Sequence, residues 1–141
     1  MPQSQLREPY HDVTTIPASF AKTNIDLHIN TSPCKSFSRL QDSPLGFRDK
    51  VNTRPAIAAA KLHAQLQHTN PKIRKLVENV QFHPALVEDA VKFQRMWSDV
   101  AVPLNAMSYG SPSSRPRTYM TDIVDLRTLP EVPCLSLNDV K

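Results

Sequence analysis

Thirteen prolines stand against two glycines in this 141-residue chain. Proline fixes φ, removes a backbone donor and pushes the residue before it out of the helical region. Glycine is what tight hairpins and helix C-caps ordinarily use, because it reaches positive φ without strain. The prolines fall along the whole length, from Pro2 and Pro9 through Pro17, Pro33, Pro44, Pro55, Pro71, Pro84, Pro103, Pro112, Pro116, Pro130 and Pro133. Such a chain is expected to reverse direction with difficulty. The fold class predicted from it is a mostly irregular, extended, proline-punctuated chain with a small central α-helical segment of two to three short helices and little independent core.

Three zones follow from that reading. Residues 1–52 form an extended N-terminal arm, 53–99 a helical module and 100–141 an extended C-terminal arm. In the first arm, Asn24-Ile25-Asp26-Leu27-His28-Ile29-Asn30 alternates polar and apolar, the period of a half-buried strand. No Asn-Gly or Asp-Gly turn follows it, so no hairpin partner is predicted in the same chain. Its backbone groups are then expected either to meet a sheet edge on another chain or to run as an irregular extended segment.

The central zone carries the helical patterns. A first helix is expected from Thr53 or Arg54 to about His68, with Ala58, Leu62 and Leu66 on one face. A second is predicted with Asn70 as N-cap and Pro71 in its first position, an arrangement both residues favour. Its Ile73, Leu76, Val77 and Val80 are spaced i, i+3, i+4, i+7, an apolar helical stripe. A third opens at His83-Pro84 and aligns Leu86, Ala90, Phe93 and Trp97, with Glu88 and Lys92 as a favourable i, i+4 pair. A bundle of this size is marginal alone, since below about 70–80 residues one core rarely supplies more than ~3–5 kcal/mol. In the last zone, residues 108–117 read as a polar linker. The apolar residues beyond it, among them Ile123, Val124, Leu126, Leu129, Val132, Leu135 and Leu137, follow neither a helical nor a strand period.

Chemistry-bearing motifs are scarce. Gly46 and Gly110 are the only glycines, which excludes the glycine-rich phosphate-cradling fingerprints. No serine has a nucleophile-elbow context. His63 and His68 are five apart and miss the i, i+4 spacing of a helical metal pair, so no metal site is expected. Cys34 and Cys134 form no CxxC and point to a reduced compartment. The N-terminus has no apolar signal region, and no apolar run reaches the ~18–20 residues of a membrane helix. The formal charge of +4 gathers in residues 53–99, where Lys72, Arg74 and Lys75 cluster. No aromatic interleaves that cluster, so dedicated nucleic-acid recognition is not expected. Ser32-Pro33, Ser43-Pro44 and Ser111-Pro112 match the minimal pattern of proline-directed phosphorylation.

Extended arms around a mid-chain helical clip offer much contact area per residue and little capacity to fold alone. In this overall character the chain resembles the small inner proteins of ciliary doublet microtubules. That resemblance implies a non-enzymatic structural component of the axonemal cytoskeleton that binds tubulin and neighbouring inner proteins. It implies no cofactor, small-molecule substrate or membrane. The partner-binding residues would be Lys72, Arg74, Lys75, Phe93 and Trp97. Two other readings stay open: a supernumerary subunit of a mitochondrial complex or ribosome, and a disordered phospho-regulated adaptor.

Overall fold

A computed structural model describes residues 12–132. The long helix α1, Lys50–Thr69, begins where Asp49 can cap it. The Asp49 carboxylate accepts from the Asn52 backbone N–H at 3.0 Å and from Asn52 Nδ2 at 2.7 Å. Ser36 Oγ donates to the same carboxylate at 2.6 Å. Together these bonds stabilise the anion and hold the Asp49 pKa down to about 2. Ala56, Ala59, Ala60, Leu62, His63 and Leu66 form the buried face of α1. α1 starts at Lys50, ahead of the start expected at Thr53 or Arg54, and this places Pro55 inside the helix. Asn70 caps the C-terminus: its N–H donates to the Leu66 carbonyl at 2.7 Å, and its Nδ2 donates to the Ile25 carbonyl at 2.9 Å.

The second predicted helix is a strand. β2 spans Arg74–Val80, following β1, Leu27–Asn30. Burial in β2 alternates: Lys75, Val77 and Asn79 are covered while Arg74, Leu76 and Glu78 face outward. Val80 is buried as well, and two of the four buried residues are polar, so the apolar residues alone display a helical spacing that the backbone does not follow. Asn70, read as an N-cap, instead ends α1 and starts the turn into β2, where its Oδ1 accepts from Lys72 N at 3.2 Å.

A turn at Pro84–Leu86 leads into α2, Val87–Trp97, whose C-cap Ser98 takes the left-handed conformation at φ 49. β3, Val102–Asn105, and β4, Pro116–Thr121, complete a four-stranded sheet of order β1-β2-β4-β3. β1 runs parallel to β2, with His28 opposite Lys75 and Asn30 opposite Val77. β4 is antiparallel to both neighbours, pairing Val77 with Met120 and Pro103 with Thr118. The β1–α1–β2 unit supplies the long crossover that a parallel pair requires.

The fold-class expectation is therefore corrected. The chain is a mixed sheet with two helices, and the sheet draws its strands from all three of the zones marked out in the sequence. The 24–30 segment finds its partner, β2, within this chain. The core joins Ala56, Ala59 and Ala60 of α1, Val77 and Val80 of β2, Phe93 and Trp97 of α2, Met120 of β4, and Phe37 and Phe47 from the connection before α1. Pro55 apart, several prolines sit at element edges: Pro17 precedes a 3-10 turn, Pro84 opens one, Pro116 starts β4 and Pro103 lies on an edge strand, where a missing N–H costs no ladder bond. Both glycines take positive φ. Gly46 is required for space as well, because a Cβ there would strike Asp89 and Leu86.

Candidate functional site

The two ends of the sheet differ in chemistry. At the end where β2 begins, Lys75 is 5% exposed. Its Nζ lies 3.2 Å from Asp99 Oδ2 and 3.8 Å from Asp122 Oδ2. Asp122 Oδ1 also accepts from the Lys75 backbone N–H at 2.9 Å. Beside this triad, His28 of β1 and His63 of α1 meet Nδ1 to Nδ1 at 3.3 Å, and both rings lie within 6 Å, centroid to centroid, of the Trp97 indole (5.8 and 5.7 Å). A bond between two Nδ1 atoms needs one imidazole to donate and the other to present a lone pair. Burial and the neighbouring His63 push His28 down to about 4, and burial with the Lys75 ammonium lowers His63, against a smaller opposite pull from Asp122.

Most of this cluster is buried, while His28 is half-buried and reaches the wall of a cavity beyond β1. His63 is 4% exposed and Trp97 2%, and His63 Nε2 and Trp97 Nε1 have no hydrogen-bond partner among the described residues. With both pKa values lowered in this way, the imidazoles stay neutral, and their contacts join β1, α1 and α2. On the outer side of Asp99 and Asp122 lies a cavity of about 360 Å³ that Asp125 and Arg127 also line. Asp125 is tied to Arg127 by bonds of 2.8 and 2.9 Å. Three carboxylates make that opening hostile to phosphate.

At the opposite end, where the parallel strands finish, the lining changes. In open α/β sheets ligands bind in the crevice beyond the carboxyl ends of the strands. After β1, a cavity of about 200 Å³ is lined by His28, Asn30, Ser32, Pro55 and Ala59 among others. Asn30 Nδ2 is buried with no hydrogen-bond partner among the described residues. After β2, a cavity of about 370 Å³ runs between α2 and the sheet, lined by Arg39, Gln81, Phe82, Phe93, Gln94 and Thr118 with prolines at its rim. Neither cavity is lined by a carboxylate. The second has the volume of a small-molecule site, for which about 300–1,000 Å³ is usual. Among the described residues, no three His, Cys, Asp or Glu side chains are placed to hold a metal ion. No helix there is long and apolar enough to cross a membrane.

The residues singled out from the sequence land in three places. Lys72 and Arg74 are exposed at the start of β2, and Arg74 Nη1 donates to the Asp122 carbonyl at 2.9 Å. Lys75 is buried in the carboxylate triad, pointing away from the other two. Phe93 and Trp97, both 2% exposed, belong to this chain's own core, although Phe93 also reaches the wall of the larger cavity. Ser32, Ser43 and Ser111 lie in connections, Ser32 near Asn79 Nδ2 at 3.5 Å and Ser111 beside Ser113 at 3.3 Å. Cys134 and His11 fall outside the described residues. Gln81, Gln94 and Arg39 were missed: no local motif marks them, and α2, β2 and the residue 31–49 connection meet only in three dimensions.

The sequence matches no protein-family model and no curated protein. In structure it is similar to a "putative DNA modification methyltransferase" encoded within a prophage of Escherichia coli, with a TM-score of 0.62 and 22% sequence identity. The match covers 91% of this chain and 39% of the prophage protein, so the chain spans well under half of its structural neighbour. At that identity the likeness establishes a methyltransferase-like fold. It overturns the expectation of an extended microtubule component and its assembly-subunit and adaptor alternatives, because the chain builds its own sheet and core in a methyltransferase-like fold.

Proposed function

We propose that this chain acts on DNA as the nucleic-acid-contacting part of a base-modifying enzyme. The observation that carries the reading is the superposition of nearly the whole chain on part of a DNA modification methyltransferase. The charge distribution supports it. The formal charge is +4, and the cavities at the carboxyl ends of the parallel strands lack carboxylates, with Arg39 exposed at one of them. A surface that meets phosphates needs such an end.

Methyl transfer also calls for a nucleoside-type methyl donor, and the residues present do not fit one at the end of β1. A donor of that size needs the backbone to approach closely, which glycines allow. Between β1 and α1 the only glycine is Gly46, and the space its missing side chain leaves is filled by Asp89 and Leu86. The cavity there, about 200 Å³, is below the range of about 300–1,000 Å³ usual for ligand sites. No step through a donor is therefore derived.

The test is fluorescence anisotropy with labelled duplex and single-stranded DNA on the full chain, at low and physiological salt. The expected result is binding that weakens on going from about 50 to 200 mM salt, as phosphate contacts require. No binding to either form at low salt would overturn the proposal.

A further inference from the structure

We propose that the outer face of α1 is a binding surface for the sugar–phosphate backbone of duplex DNA, carried by Lys50, Arg54 and Lys61. The inference deepens the DNA reading above and rests on it for the partner. All three side chains are exposed. At 3.6 residues per turn they fall within about 40° of one another around the helix, and Lys50 to Lys61 spans roughly 16 Å along it. The exposed Gln65 and His68 continue the same face toward the C-terminus. The 20 residues of α1 include no aspartate or glutamate, whereas α2 balances Glu88 and Asp89 against Lys92 and Arg95.

A solvated helix face is ordinarily stabilised by oppositely charged i, i+4 pairs and by acidic residues in its first turn. α1 has the reverse of both. Lys50 and Arg54 are like charges at i, i+4, and Lys50 opens the helix, where the dipole disfavours a cation. Among the described residues no ion pair engages Lys50, Arg54 or Lys61. Two carboxylates lie nearby, and neither is bonded to this stripe. Asp49 is taken up by Ser36 and Asn52, and Asp12, close enough to Arg54 to feel its charge, accepts from the Thr14 N–H at 2.8 Å. Repulsion left uncompensated within the fold is relieved by a partner that brings its own negative charge. Duplex DNA carries one charge per about 1.7 Å of its axis, so a straight stripe of this length meets several phosphates. Proteins that hold single strands combine cations with aromatic side chains for stacking, and α1 contains no Phe, Tyr or Trp. Pro55 lines both the cavity after β1 and the one beside Lys50 and Arg54, so the stripe adjoins the end of the sheet to which the DNA reading points.

The experiment uses the full-length chain with a short labelled duplex, a second duplex of unrelated sequence and the separated single strands, followed by anisotropy across a salt series. One variant combines Lys50→Gln, Arg54→Gln and Lys61→Gln. The control combines Lys92→Gln, Arg95→Gln and Arg115→Gln, which remove the same charge from exposed positions elsewhere. Losing three phosphate contacts lowers the slope of log affinity against log salt by about 2.7, so the stripe variant sheds roughly fortyfold of the weakening seen between about 50 and 200 mM. Each single substitution removes about 0.9 of the slope. Both duplexes lose affinity alike, because phosphate contacts carry no sequence information. The control changes the slope far less. Circular dichroism should show the stripe variant folded, with a Tm no lower than wild type, since repulsion within α1 is relieved. A wild-type slope in the stripe variant, or an equal fall in the control, overturns the stripe and leaves the DNA reading standing. Single strands bound in preference to either duplex do the same. Wild-type protein that binds neither form at low salt overturns both.

Discussion

Buried ionisable residues set this protein's response to pH. In the folded chain His28 stays neutral down to about 4, against an ordinary value of 6.5. Unfolded, it takes up a proton from about 6.5 downward. Between those values the unfolded state binds more protons, so stability falls as pH drops from 6.5 toward 4 and is flat above. His63 adds to the loss in the same direction. Asp49 behaves differently: its carboxyl is lowered to about 2 by Ser36 and Asn52, so its contribution is present above 3.8 and is lost as pH falls through 2. Urea unfolding measured from pH 8 to pH 3 should show the histidine decline, and His28→Gln should lessen it, leaving the share that His63 supplies. A wild-type profile level down to pH 4.5 would contradict a neutral histidine pair. Lys75→Ala should destabilise by about 3 kcal/mol, the low end for breaking a buried pair, because Asp99 and Asp122 retain partial access to water. Lys75→Met, which restores the volume, should recover part of that loss in the same assay.

At the scale of elements, the decisive event is the strand at Arg74–Val80. Its outward residues pair across the sheet, with Arg117 Nε 2.9 Å from Glu78 Oε1. Val77→Pro should prevent folding, since a central strand cannot lose a ladder bond, and loss of dispersed amide NMR signals would report it. Helix α1 carries a different defect. Pro55 lies past the first turn, where proline costs a helix ~3 kcal/mol or more. Pro55→Ala should therefore raise Tm by several degrees, and an unchanged or lower Tm would show that the ring's contacts near the β1-end cavity outweigh the missing bond. Much of this level was legible beforehand. The α1 pattern and the Pro84 start ahead of α2 correspond to real elements, and the alternation over Asn24–Asn30 to β1, although there Leu27 and Ile29 face outward and Asn30 is buried. β2 was misread because Lys75 and Asn79, two polar residues, occupy its buried face.

For the molecule as a whole, the prolines suggested a chain that needs a scaffold, and the structure shows one that folds on itself. Phe37, Phe82, Phe93 and Phe47 form a linked set of aromatic contacts between the residue 31–49 connection, the end of β2 and α2. The isolated chain should unfold in one cooperative urea transition, with Trp97 fluorescence and far-UV circular dichroism coincident. Non-coincident or featureless curves would restore the extended reading. Phe93→Ala should destabilise by about 3–5 kcal/mol, as full removal of a core aromatic does, measured as a shift in the urea midpoint.

What the sequence determined by itself is local: the presence of the helical patterns that became α1 and α2, where prolines punctuate the chain, and the lack of glycine-rich and CxxC motifs. These depend on φ preferences, caps and spacing within a few residues, which are written in order along the chain. The tertiary structure decided the rest. It made β1 the parallel neighbour of β2, buried Lys75 between two carboxylates that follow it by 24 and 47 residues, and brought Arg39, Gln81 and Gln94 to one cavity. Long-range pairing is selected by the burial and hydrogen-bonding balance of the whole fold, and no window of residues contains that balance.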